Sequence, residues 1–323
     1  MHGWYDVVLT MDSKNYSNFF EDRTVLVTGG AGFIGSHLTQ HLVQLGAKVR
    51  VLDDFSSGHL ENLNGLDVII CNGSILDTKA IGEAVDGCSL VFHEAAFVSV
   101  PESFENPDKC FEVNIKGTSN VLKMAKSASC QRVIFAASAA CYGSNPQLPS
   151  VETDKISAES PYAQSKVMGE QLMRDANLDT VSLRYFNVFG NRQDPHSQYA
   201  AVVSAFASAI LSNRKPIIFG DGKQSRDFTN VHNIVHANLL AASHPAPLRG
   251  DIFNVGTGKM LSLLDLIDAM FDGNPKQIDF QPERLGDVLN SCASIGKITS
   301  VLGYETVVHT AESLRLLVNP TLQ

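Results

Sequence analysis

The chain has 323 residues, 44% of them hydrophobic and 18% charged, which gives enough apolar material for a sizeable core and excludes a disordered or disulfide-stapled miniature. Acidic residues outnumber basic ones, 34 to 25, for a net charge of −9, which argues against a general nucleic-acid or anionic-membrane binder. Six scattered cysteines without a CxxC pair read as reduced thiols, and no apolar run reaches the roughly 20 residues that span a bilayer, so a cytoplasmic protein is expected.

Residues 1–22 show no clean period and lack a signal-peptide core; they read as an extension packed on the surface or against a partner. From Thr24 the text alternates strand and helix: TVLVTG, SHLTQHLVQLG and KVRVLDD form a βαβ unit. LDVIICNGS, KAIGEAVDG, SLVFHEAA, a helix containing NIKGTSNVLKMAKS, and RVIFAASAA continue it. Their continuous, β-branched strands suit a parallel sheet covered on both faces. After Asn187, glycine and proline punctuation at GNRQDP, FGDGKQS, HPAPLRGD and NVGTGK suggests a smaller lid over the sheet's carboxyl edge. The expected fold is α/β: a doubly wound parallel sheet over 23–186 that carries the catalytic residues, followed by a smaller substrate-binding domain over 187–323, with the chain crossing between them.

VLVTGGAGFIGSHL places Gly29, Gly32 and Gly35 between a strand and a helix. Such glycines allow a tight turn, let backbone amides approach a pyrophosphate at the helix N-terminus, and permit close helix-on-strand packing. Phe33 and Ile34 belong to the same turn, as packing residues or cofactor contacts. The next strand ends in Asp53 and Asp54, where a carboxylate can hydrogen-bond an adenosine ribose and would repel the extra phosphate of NADP, so NAD is expected.

A second constellation is Tyr162 and Lys166 in SPYAQSKVMGEQLM, behind the helix-start signals Ser160 and Pro161. A spacing of four stacks both on one helical face, where an ammonium stabilises a phenolate and makes the tyrosine a general base. Ser138, at the end of RVIFAAS, lies where open α/β sheets place ligands and would share a proton with Tyr162.

TGGAGFIG, Asp53, HEAA, NIKGT, SAACYG, YAQSK, RYFNVFG, SRDF and RLGDV together resemble the extended short-chain dehydrogenase/reductase family, in its nucleotide-sugar epimerase and dehydratase branch, from about Thr24 to near the C-terminus. The resemblance implies a Rossmann domain binding NAD through the glycine turn, Asp53, Asp54, Ser74, Ile75, Ala95, Ala96, Asn114 and Lys166, with Ser74 standing where an aspartate is usual. It also implies Ser138, Tyr162 and Lys166 as the working set. Dehydratases carry an Asp-Glu pair after the serine or threonine; here Ala139 and Ala140 follow, which leaves 4-epimerisation through a transient 4-keto sugar. FNVFG followed by RQDP resembles the subgroup acting on N-acetylated UDP-hexosamines. By that resemblance Asn187 touches the diphosphate or sugar, Ile217 and Phe219 cradle uracil, Arg226 and Arg284 clamp phosphate, and Asp287 meets the uridine ribose. Ser291 would stand where a tyrosine restricts relatives to UDP-glucose and UDP-galactose, leaving room for an acetamido group. UDP-GlcNAc/UDP-GalNAc interconversion is therefore expected, with UDP-Glc/UDP-Gal also accepted. The alternatives are an NAD-dependent nucleotide-sugar dehydrogenase or reductase, another UDP-sugar epimerase, or a catalytically silent nucleotide-sensing scaffold. The family often dimerises through two helices per subunit, here GTSNVLKMAKS and YAQSKVMGEQLM. The histidines show no metal spacing, and His93 reads as structural.

Overall fold

A computed structural model describes residues 16–144, 146–194, 202–271, 277–283 and 289–319. The strands of the first half are β1 (Thr24–Thr28), β2 (Lys48–Asp53), β3 (Val68–Asn72), β4 (Leu90–His93), β5 (Arg132–Ser138) and β6 (Thr180–Tyr185). The second half adds the short strands β7 (Val188–Phe189), β8 (Ile217–Phe219), β9 (Ser225–Arg226) and β10 (Thr229–Asn230). Then come β11 (Asp251–Val255), β12 (Leu261–Ser262), β13 (Asp279–Gln281) and β14 (Asn290–Ser291).

Seven strands form one sheet in the order β11-β6-β5-β4-β1-β2-β3, every pairing parallel. The runs that line its middle, such as Leu90–His93, are buried along their whole length, as a sheet covered on both faces requires. Leu38, Leu42, Ile234 and Leu239, from the helices Phe33–Gln44 and Val231–Ser243, pack with Val25, Val27 and Phe92 on one face. Ile81, Val121 and Met173, from the helices Thr78–Val85, Thr118–Ser127 and Pro161–Asp175, pack with Leu26, Val91 and Phe135 on the other. Strand order reverses between β1 and β4, and the carboxyl ends at that switch point open a crevice suited to a dinucleotide.

The second half builds its own core around Phe189, Phe206, Phe228 and Leu266, with the small β12-β9-β14 sheet beside it. The chain crosses back: β11 joins the main sheet beside β6, and the helix Val231–Ser243 covers that sheet's face. One expectation is corrected. Within the first 22 residues, Tyr16 and Phe20 are buried in the main core, Phe20 completely, and the Tyr16 hydroxyl lies 3.2 Å from His236 Nδ1. Two buried aromatic rings in five residues outweigh the missing period, because burying each contributes about 1.5–3 kcal/mol. Residues 1–15 lie outside the described residues.

His37, His41 and His232 gather between the two helices of that face, the rings of His37 and His41 each 5.2 Å from that of His232. His93 is buried in the sheet, between the Thr28 hydroxyl at 2.8 Å and the Thr118 hydroxyl at 3.0 Å, the structural role its sequence context suggests. Burial holds His37 and His93 neutral, each pushed down to about 3, and pushes His41 and His232 down as well. An unfolded chain protonates such histidines near 6.5, so below that pH it takes up protons the fold refuses and stability falls as pH drops. His37 and His93 each contribute about 1.4 kcal/mol per pH unit in that window, and His41 and His232 act in the same direction. Glu94, pushed up to about 7 by burial, works the other way and offsets one of them. Urea unfolding midpoints should therefore decline from about pH 6.5 to about pH 4.5, and His37→Asn should flatten the slope. Equal midpoints at both ends would contradict the neutral cluster.

Candidate active site

The glycine turn leaves β1 at Gly29, which has φ +68° and whose added Cβ would lie 2.7 Å from the Ala95 nitrogen. No other residue fits there, because the backbone must adopt the left-handed region against a neighbouring strand end. A Cβ on Gly35 would overlap the Gly29 carbonyl oxygen, so the helix Phe33–Gln44 can start directly on the turn only with glycine at that place. The resulting cradle faces the crevice with its backbone amides at a helix N-terminus.

Asp53 ends β2 beside it and is 7% exposed. Its carboxylate accepts from the Ala31 nitrogen at 2.9 Å and from the Phe55 nitrogen at 2.9 Å, bonds that oppose the upward push of burial on its pKa. It therefore shapes the turn as well as facing the crevice. Asp54 is exposed next to it.

A cavity of about 1380 Å³ runs along the carboxyl ends of the sheet, larger than the roughly 300–1,000 Å³ of a single drug-sized ligand. Gly29, Gly32, Phe33, Ile34, Gly35, Asp53, Asp54, Ser74, Ile75, Ala95 and Ala96 line it, as do Ser138, Tyr162 and Lys166 in the middle and Asn187, Arg226 and Ser291 beyond. A cradle that admits no side chain, a ribose-side carboxylate and the volume for two ligands fit a dinucleotide with a second nucleotide in line.

Ser160 caps the helix Pro161–Asp175, its hydroxyl accepting from the Ala163 nitrogen at 3.1 Å, and Pro161 takes the first position, where its missing N–H costs nothing. The helix is locked to β6 by a buried ion pair, Arg184 to Glu170, with bonds of 2.7 and 2.8 Å. Arg184 also donates to the Tyr142 hydroxyl at 2.8 Å, which ties in the turn that follows Ser138. The Ser138 hydroxyl accepts from the Ala140 nitrogen at 3.2 Å and lines the cavity with Tyr162; burial pushes the phenol up, and Ser138 works against that push. Lys166 is 3% exposed; its Nζ donates to the Ala136 carbonyl at 2.8 Å and sits 5.8 Å from the Tyr162 ring centroid. Burial pushes Lys166 down to about 8. The spacing of four thus brings the pair onto one wall, but burial dominates the phenol and pushes it up, and Lys166 is not among the groups that lower it.

Beyond them, Asn187 holds φ +27°, a conformation its short polar side chain tolerates. It donates to the Ser291 hydroxyl at 2.8 Å and the Asp227 carbonyl at 3.2 Å. The buried Asp227 carboxylate accepts from the nitrogens of Thr257, Gly258 and Ala293 at 2.8, 2.9 and 3.1 Å, fixing the SRDF and NVGTG segments against β14.

One expectation needs revision, and four other residues of the reading lie off or outside the described cavity wall. Asn114 does not line the cavity: it is buried, accepts from the Phe97 nitrogen at 2.7 Å and donates to the Ser165 hydroxyl at 2.8 Å. Its segment Glu112–Gly117 winds as a π-helix instead of the expected α-helix, which turns this side chain inward to hold the loop after β4. Ile217 and Phe219 lie on β8, paired with β13, and are not among the described residues that line the cavity. Arg284 and Asp287 lie outside the described residues. The cavity wall also includes Glu94 and Tyr185, to which the sequence reading gave no role; a carboxylate ending an otherwise apolar strand was the available signal.

Residues 25–256 match the NAD dependent epimerase/dehydratase family. The chain belongs to this family. Within it, a putative UDP-glucose 4-epimerase of Methanocaldococcus jannaschii is 36% identical over 308 residues, covering 91% of this chain and 97% of that protein. A UDP-N-acetylglucosamine 4-epimerase of Methanobrevibacter ruminantium, solved in complex with UDP-N-acetylmuramic acid, superposes with a TM-score of 0.86 at 36% identity, covering 92% of this chain and 97% of that one. A UDP-glucose 4-epimerase of Thermotoga maritima with UDP-glucose gives 0.85 at 34% identity, covering 93% and 100%. The family's NAD agrees with the glycine cradle. Among the described residues no group of three or more histidine, cysteine or acidic side chains is placed to hold a metal ion, and no helix is long and apolar enough to cross a membrane.

Proposed function

We propose that this enzyme, an NAD-dependent UDP-sugar 4-epimerase, interconverts UDP-GlcNAc and UDP-GalNAc and also accepts UDP-Glc and UDP-Gal. The observation that carries the reading is the placement of Ser138, Tyr162 and Lys166 on one cavity wall, between the glycine cradle and the Asn187–Ser291 pair.

The glycine turn, Asp53, Ser74 and Ile75 would hold the adenosine end of NAD, with Lys166 and the loop at Ala95–Ala96 toward the other end. When bound, NAD supplies reversible oxidation at the sugar's fourth carbon. Tyr162, as phenolate, takes the proton of the 4-hydroxyl and later returns it; Lys166 supplies the positive charge that makes a phenolate affordable in a buried place. Ser138, which lines the same cavity, would hydrogen-bond the 4-hydroxyl and help steer that proton to Tyr162. The side chains that follow it, Ala139 and Ala140, offer no acid or base for eliminating water, so the oxidised sugar is returned to a hexose.

Arg226 would hold diphosphate oxygens, and the small Ser291 would leave space for a 2-acetamido group. Residues 23–186 serve as the dinucleotide unit and 187–323 as the sugar-nucleotide unit. A homodimer through the helices Thr118–Ser127 and Pro161–Asp175 agrees with Met168, an apolar side chain 47% exposed on the second helix.

Purified protein incubated with each UDP-hexose and UDP-hexosamine in turn, with the C4 epimers resolved by chromatography, tests the reading. Interconversion without net NADH is expected. Steady NADH accumulation would establish a dehydrogenase instead, and failure on both acetamido sugars would remove the substrate assignment.

A further inference from the structure

Glu94 follows the buried run Leu90–His93, and its side chain reaches the cavity floor. Its backbone nitrogen donates to the Thr28 carbonyl at 3.2 Å, which anchors it at the switch point. Its Oε1 accepts from the Tyr185 hydroxyl at 2.8 Å. The Tyr185 oxygen in turn accepts from Asn238 Nδ2 at 2.8 Å, and that amide also donates to the Ile234 carbonyl at 2.9 Å. With Asn238 donating to its oxygen, Tyr185 directs its own proton to Glu94, an arrangement that favours a charged acceptor. Lys166 lines the same cavity. The Ala136 carbonyl it binds follows Phe135, which pairs in register with His93, so Glu94 stands beside the strand position that holds Lys166, and the two line one cavity without forming a direct ion pair.

We propose that Glu94 is a positioning residue: held by Tyr185 and Asn238, its carboxylate is the counter-charge that keeps Lys166 an ammonium beside Tyr162. The inference rests on the reading of Tyr162 as the base. Loss of water drives the two groups toward neutrality, Lys166 down to about 8 and Glu94 up to about 7, and the opposite charge of each works against the other's shift.

The remaining titratable groups around the pair do not supply that charge. Tyr185 is pushed well above its ordinary range and stays a proton donor. His93 is held between Thr28 and Thr118. His37, His41 and His232 on the flanking helices are neutral. Cys110, which also acts on Lys166, is a thiol pushed up by burial, and Glu170 is already bound by Arg184.

The test measures the titration midpoint of Lys166 directly, by its pH-dependent acetylation with acetic anhydride and peptide mass spectrometry, on protein without sugar. Wild type is compared with Glu94→Gln, which keeps an acceptor for Tyr185, with Glu94→Leu, which removes it, and with Glu94→Asp. In both uncharged variants the midpoint should fall by roughly half a unit to one unit, and Glu94→Asp should recover part of that shift. The alkaline fall of kcat should move with the midpoint while KM changes little. An unmoved midpoint in Glu94→Gln overturns the proposal, and so does a shift confined to Glu94→Leu, which would assign the effect to the lost hydrogen bond. Acetylation reads Lys166 whether or not UDP-sugars turn over, so failure here is distinct from failure of the proposed function.

Discussion

Tyr162→Phe should lower epimer interconversion by roughly two to four orders of magnitude, the range for losing a positioned general base, with the melting temperature nearly unchanged. The ring is half-buried at the start of a capped helix and the substitution keeps it. Only the hydroxyl is lost. Phenylalanine leaves no acceptor for the 4-hydroxyl proton near Lys166, whose Nζ stays committed to the Ala136 carbonyl. The loss should fall on kcat, because the arginine and asparagine that would grip the diphosphate half lie elsewhere along the cavity. Lys166 has its proton only below about 8, so wild-type activity should decline above that pH as the positive charge beside the phenolate disappears. A variant retaining more than roughly a tenth of the wild-type rate would show that the base is another group. Initial rates in both directions with matched UDP-sugars, together with calorimetry, decide the matter.

What the sequence exposed and what it concealed follow from how local each signal is. The glycine turn was legible because Gly29 and Gly35 satisfy constraints set within a few residues, a positive φ and a helix seated on its own turn. Tyr162 and Lys166 were legible because helical geometry fixes a spacing of four. The bond from Tyr185 to Glu94 depends instead on sheet order, which brings the ends of β4 and β6 together across β5 with Asn238 beneath. The inward turn of Asn114 was hidden for a related reason. Its segment reads as ordinary helix, and only the approach of Phe97 and Ser165 makes the π-helical winding favourable. Ile217 and Phe219 were carried over by resemblance alone, and nothing in their own sequence points to uracil.

The second large effect is expected from Ser291→Tyr, read as a change in substrate ratio. Ser291 pairs in register with Arg226 and lines the cavity, whereas the next residue, Cys292, is buried; alternation along the strand therefore points a side chain at 291 toward the substrate region. Its hydroxyl meets Asn187 at 2.8 Å, so a tyrosine there would displace that amide and fill the volume assigned to the acetamido group. UDP-GlcNAc and UDP-GalNAc should lose roughly tenfold to two-hundredfold in kcat/KM relative to UDP-Glc and UDP-Gal, the scale on which a pocket discriminates by shape. Ser291→Ala separates the two consequences, since it removes the partner of Asn187 and keeps the space. It should lower all four rates together and leave their ratio alone. If Ser291→Tyr depresses both substrate pairs equally, the residue supports the wall without selecting the sugar, and the acetamido preference must then come from another part of the cavity.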